Sequence, residues 1–140
     1  MNGLRNLQNK VVRYITHSSP YTNVSNEYRK LGILKLDQIY FSEVGKFMFR
    51  KHKHTLPLSF DGYYKNINHN HNTRTRLHSE FSLPCPRTEL GKQSIKYTGV
   101  KIWSEISNDL KNSTNLQSFS TMIKSHILSN VQSPNIHDYL

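Results

Sequence analysis

The residues best suited to hold a metal lie close together in the middle of this sequence. Three histidines and the single cysteine fall within 17 residues, at His69, His71, His78 and Cys85. Zinc accepts such a mixture of ligands. The spacing, however, lacks the close ligand pairs at both ends that define zinc knuckles and fingers. We therefore predict no metal site here, and an enzyme with a metal bound at His69, His71 and Cys85 stays open as a third hypothesis.

Other catalytic chemistry has even less support in the sequence. Cys85 stands between two prolines, with no helix N-terminus to lower its thiol pKa. No nucleophile elbow, P-loop or glycine-rich fingerprint occurs. The nine carboxylates are scattered and include no Asp-Asp pair, whereas two-metal nucleotidyl transfer needs carboxylates that converge on paired ions. We predict no catalytic residue and no resident cofactor in this chain.

Basic residues offer a different activity, which is binding to nucleic acid. Lysine and arginine total 19 against 9 acidic residues, for a net charge of +10. Such a charge favours polyanions, and phosphate contacts need only the cations. Tyr40 and Phe47 lie among these cations, but their spacing indicates core positions on a helix. Two clusters are the predicted phosphate contacts, namely Lys46, Arg50, Lys51 and Lys53 at a helix end, and Arg74 and Arg76 in a polar loop.

These clusters are positioned by segments with helical periodicity. Apolar residues predict helices over residues 4–16, 25–31 and 36–54, the second ending at Gly32 and the third before Leu56-Pro57. Ile102, Trp103 and Ile106 suit one face of a later helix. A last helix carries Leu116, Phe119, Ile123 and Ile127, with Thr114 and Gln117 as a capping box. The alternation over residues 93–97 indicates one short strand.

Between the helices, residues 61–87 read as a long polar loop, either exposed or ordered only on contact with another molecule. The fold class expected is mainly α, a small helical assembly with this loop in the middle and at most one short β-element. We divide the chain into a helical segment (1–56), a loop-rich basic linker (57–92), a C-terminal helical segment (93–130) and a frayed tail (131–140).

Composition suggests that this assembly leans on a partner. Only 35% of residues are hydrophobic, against ~45–50% in most globular domains. The single cysteine points to a reducing compartment, and no signal peptide or apolar run of ~18 residues occurs. We expect an intracellular, soluble protein of nucleus or cytoplasm that does not bind a membrane.

The order of short motifs along residues 4–129 is similar to that of a known family. They resemble the region downstream of the polymerase core in reverse transcriptases of jockey-like non-LTR retrotransposons. The motifs are Leu7-Gln8-Asn9-Lys10, Leu31-Gly32-Ile33-Leu34-Lys35-Leu36, Lys46-Phe47-Met48-Phe49, Leu56-Pro57, His71-Asn72-Thr73-Arg74, Pro86-Arg87-Thr88, Tyr97-x-Gly99-x-Lys101-Ile102-Trp103, and Leu116-x-Ser118-Phe119. One departure is visible, because Ser107-Asn108 stands where the family has a Leu-Pro pair.

The resemblance implies an RNA-directed DNA polymerase as the parent protein. Its Mg²⁺-binding palm would precede this region, and residues 4–54 would correspond to the thumb, which follows the template–primer duplex. The chain would then be a non-catalytic, nucleic-acid-associated fragment of a larger fold, with the polymerase core as a further partner. The apolar faces of helices 4–16 and 36–54 would be partly unmatched in such a fragment. The alternative is an independent basic helical adaptor that binds RNA or protein.

Overall fold

The computed structural model describes residues 2–66 and 80–129, where the chain forms seven α-helices and one short 3-10 helix over Leu58–Phe60. The α-helices are α1 (Asn2–Ile15), α2 (Ser25–Lys30), α3 (Leu36–His52), α4 (Glu89–Lys92), α5 (Ile95–Glu105), α6 (Asn108–Lys111) and α7 (Leu116–Ser129). The pairing of Asn66 with Phe81 is an isolated bridge, and no strand occurs in the two described ranges. The predicted mainly helical fold is confirmed.

Helix α3 is the centre of the assembly, and α5 and α7 pack against it. Its sequence repeats apolar residues every three or four positions, so that one face enters the core. The core cluster comprises Phe41, Val44, Met48, Phe49, Tyr64, Phe81, Val100, Ile102, Trp103, Ile106, Leu110, Phe119, Ile123 and Ile127. Trp103 and Phe119 pack together, with ring centroids 6.4 Å apart. This contact between the tryptophan helix and the last helix was expected from the sequence.

The described ends of the predicted loop belong to the core. Tyr64 and Phe81 are only 5% and 2% exposed, and their rings lie 5.8 Å apart. The Tyr64 hydroxyl donates to the carbonyl of Ile95 at 2.9 Å, and burial raises the pKa of this phenol. The prediction of an exposed loop is therefore wrong for these residues, because two aromatic side chains in an otherwise polar segment are enough to anchor it.

A second, smaller cluster holds the N-terminal helices. Val12 of α1 packs with Val24 and with Tyr28 of α2, and all three are buried. Gly32 ends this unit with φ of +62°, and the N–H of Ile33 donates to the Tyr28 carbonyl at 3.0 Å. That geometry is the glycine C-terminal motif that the sequence predicted.

Two local predictions were wrong. Residues 93–97 are not a strand, because α5 begins at Ile95 and its buried residues continue at helical spacing through Thr98 and Ile102 to Ile106. Five alternating residues could not compete with that longer pattern. Helix α7 is capped by Asn115 rather than Thr114, since the Asn115 side chain accepts from the N–H of Ser118 at 2.8 Å.

The division of the chain at residues 56 and 92 stays a prediction. The core cluster nevertheless draws on both helical segments and on the connection between them, through Phe49, Tyr64 and Trp103. The C-terminal tail, 131–140, lies outside the described residues. In the described ranges, no helix is both long and apolar enough to cross a membrane.

Candidate nucleic-acid interface

A groove of about 500 Å³ lies between the C-terminal end of α3 and the N-terminal end of α7. Arg50 and Lys53 stand on its α3 side, and residues 114–116 form its α7 side. Phe49, Leu56 and Pro57 supply apolar lining. Two cations beside an apolar groove are suited to holding a phosphate group next to a sugar or a base.

Arg50 and Lys53 are both exposed. Lys53 also holds its ammonium 5.5 Å from the centre of the Phe49 ring, a cation–π distance. Neither side chain forms an ion pair within the described residues. Their positive charge is therefore free to attract an anion at the mouth of the groove.

The other two predicted cations of α3 are engaged elsewhere. Lys46 pairs with Glu43 at 2.7 Å. Lys51 is only 7% exposed, and its ammonium donates to the backbone carbonyl of Asp61 at 3.3 Å, with the Asp61 carboxylate 3.9 Å away. The helical repeat explains the difference, because Lys51 follows Met48 by three positions and therefore falls on the buried face. The structure brings Arg50 and Lys53 to the groove and leaves Lys46 and Lys51 out of it.

The remaining predicted site residues cannot be placed. Arg74 and Arg76 lie outside the described residues, as do His69, His71 and His78. Cys85 is described, and it is exposed. Among the described residues, no three histidine, cysteine or carboxylate side chains are grouped as metal ligands.

The α7 side of the groove was missed by sequence reasoning. Residues 114–116 precede and begin a helix of 14 residues, whose N-terminal end carries a partial positive charge. Asn115 satisfies one of the free N–H groups there. The capping residue itself was the available signal, but only the tertiary fold reveals that this helix end faces the end of α3.

A polar cluster fixes the opposite edge of the α3 terminus. The carboxylate of Glu80 lies 2.9 Å from Nδ1 of His52 and accepts from Nε1 of Trp103 at 3.0 Å. Lys111 places its ammonium 5.3 Å from the centre of the Trp103 ring, and burial lowers the pKa of this lysine. The cluster ties Glu80 to α3 and α5 and so holds the end of the helix that carries Arg50 and Lys53.

Comparison with known proteins adds no relative, since no family model, curated protein or solved structure matches this chain.

Proposed function

We propose that the chain is a nucleic-acid-binding region of a jockey-like non-LTR retrotransposon reverse transcriptase, lying downstream of the polymerase core. In this proposal the groove between α3 and α7 holds the sugar–phosphate backbone of a template–primer duplex. The observation that carries it is the convergence of Arg50 and Lys53, both exposed and without ion pairs among the described residues, on one groove. The order of motifs along the chain supports the family assignment.

Binding in this groove would be electrostatic and indifferent to sequence. Arg50 can hold two oxygens of one phosphate, whereas Lys53 acts as a point charge. Each phosphate that is neutralised releases condensed counterions, so that affinity falls as salt is added. The chain contributes positioning of the duplex, and Mg²⁺-dependent polymerisation would belong to the palm of the parent enzyme.

The test is fluorescence anisotropy with a labelled RNA–DNA duplex across a range of salt concentrations. We expect micromolar affinity, and the Arg50→Gln/Lys53→Gln variant should bind more weakly with a salt slope smaller by about two. The matched control is Lys10→Gln/Arg29→Gln, which removes the same charge from two exposed residues of other helices.

Two results would contradict the proposal. Affinity that does not change with salt would exclude phosphate contacts as its source. An equal loss in both double variants would show that only the net charge matters and that the groove is not the site.

An independent basic adaptor remains the second candidate, because α1 exposes apolar side chains that no described residue covers. An in-frame palm-coding sequence upstream of this region would favour the polymerase proposal. The exposed face of α1 raises its own question, taken up next.

A further inference from the structure

Helix α1 packs on the rest of the molecule mostly through its polar face. Arg5 donates to both carboxylate oxygens of Asp37, at 2.7 and 2.8 Å. The Gln8 side chain donates to the Leu34 carbonyl at 3.0 Å and accepts from the N–H of Leu36 at 3.1 Å. These contacts bind one side of the helix to the chain that leads into α3.

The apolar stripe of the same helix points away from the molecule. The exposed fractions are 58% for Leu4, 56% for Leu7, 50% for Val11, 85% for Tyr14 and 51% for Ile15. A helix normally buries its apolar face and exposes its polar one. The polar anchors hold α1 in the reverse orientation, which leaves a preformed apolar ridge on the surface.

We propose that this ridge docks an amphipathic helix that carries acidic residues beside its own apolar stripe. The spacing identifies the partner as a helix, because Leu4, Leu7, Val11 and Tyr14 alternate steps of three and four residues. That repeat is the seam of a two-helix pair, in which each side chain inserts between residues of the facing helix. This inference goes beyond nucleic-acid binding and does not depend on it.

Charge identifies the partner as acidic. Helix α1 carries three cations and no carboxylate, and Asp37 compensates only Arg5. Lys10 is exposed and lies next to both Leu7 and Tyr14 on the helix surface, three and four positions away. A glutamate beside the partner's stripe would therefore meet Lys10 at the edge of the contact.

A second copy of the chain fits the ridge less well. Two α1 helices would place Lys10 and Arg13 near the same cations of the other copy. The stripe has five side chains, whereas a stable interface uses roughly 20–30 residues a side. Self-association through α1 would be opposed by charge and too small to persist.

The experiment uses the whole chain and designed helical peptides of about three heptads. One peptide has leucine at the seam and glutamate beside it, and its control has lysine in place of glutamate. Anisotropy should give a Kd of about 10–100 µM for the acidic peptide, weakened about tenfold or more by Leu7→Gln/Val11→Gln. The lysine peptide should bind about tenfold more weakly or not at all.

The groove variant Arg50→Gln/Lys53→Gln separates this proposal from the previous one, since it should bind the acidic peptide normally. Equal binding of the two peptides, or no effect of Leu7→Gln/Val11→Gln, would overturn the docking proposal. So would a dimer in sedimentation, or binding to phosphatidylserine vesicles in place of the peptide, if the same double variant abolished it. Circular dichroism verifies that this variant, altered at two exposed positions, remains folded.

Discussion

Neighbouring basic residues at the end of α3 meet very different surroundings. Arg50 is exposed on the groove, while Lys51 is buried and satisfied by Asp61. A buried ammonium needs such a partner, because an unpaired charge in the interior is costly. Lys51 is therefore a structural residue, and changing it would disturb folding as well as any binding. A test of phosphate contact must be made at Arg50 and Lys53.

Gly99 is a residue at which the fold tolerates no side chain. A Cβ there would lie 2.9 Å from both Sδ of Met48 and the hydroxyl oxygen of Tyr64. The hydroxyl is held by its hydrogen bond to Ile95, so that it cannot move away freely. We expect Gly99→Ala to lower the free energy of unfolding by roughly 1–2 kcal/mol, because the overpacking exceeds the gain of about 1 kcal/mol in helix propensity.

Urea denaturation measures this change, and Gly3→Ala is the matched control. Gly3 is also helical, and a Cβ added there meets no heavy atom within 4 Å. The control should be neutral or slightly stabilising. A Gly99→Ala protein as stable as this control would show that Met48 and Tyr64 repack without cost.

At the scale of the element, helical periodicity predicted most of the fold. It gave α1, α2 and α3 to within two residues of the observed ends, and it placed Trp103 and Phe119 in the core. It also carried the information that Lys51 is on the buried face. Contacts between distant elements could not be predicted: the anchoring of Tyr64 and Phe81 and the meeting of α3 with α7 depend on tertiary packing. Half of the candidate groove was therefore missed.

The short helix α6 provides a stability test. Asn108 is its first residue, and Ser107 before it has φ of −62° and ψ of 151°, a conformation that suits a residue preceding proline. Proline is favoured at the first position of a helix, where the N–H has no helical partner. We expect Asn108→Pro to raise the free energy of unfolding by about 0.4–1 kcal/mol through a more restricted unfolded chain.

Thermal denaturation followed by circular dichroism checks this expectation. Asn112→Pro is the control at the other end of α6, where the N–H of Asn112 donates to the Asn108 carbonyl at 3.0 Å. Losing that hydrogen bond should lower the melting temperature. If Asn108→Pro also lowered it, α6 would not begin where the structure places it.

At the scale of the whole molecule, two clusters of unequal size hold the described residues together. The large one joins α3, α5, α6 and α7, and the small one contains only Val12, Val24 and Tyr28. Helix α1 adds polar contacts to the small cluster but leaves its own apolar stripe in solvent. Little buried apolar area opposes its release, so the α1–α2 unit should open at a lower free energy than the core.

Native-state hydrogen exchange tests this difference with two adjacent valines. Val12 is 2% exposed and Val11 is 50% exposed, so Val12→Ala should destabilise the small cluster by about 1–3 kcal/mol, whereas Val11→Ala should not. We expect Val12→Ala to speed amide exchange in α1 and α2 while leaving α3, α5 and α7 unchanged. Faster exchange in every helix would mean instead that the two clusters unfold together, and that α1 is held as firmly as the core despite its exposed stripe.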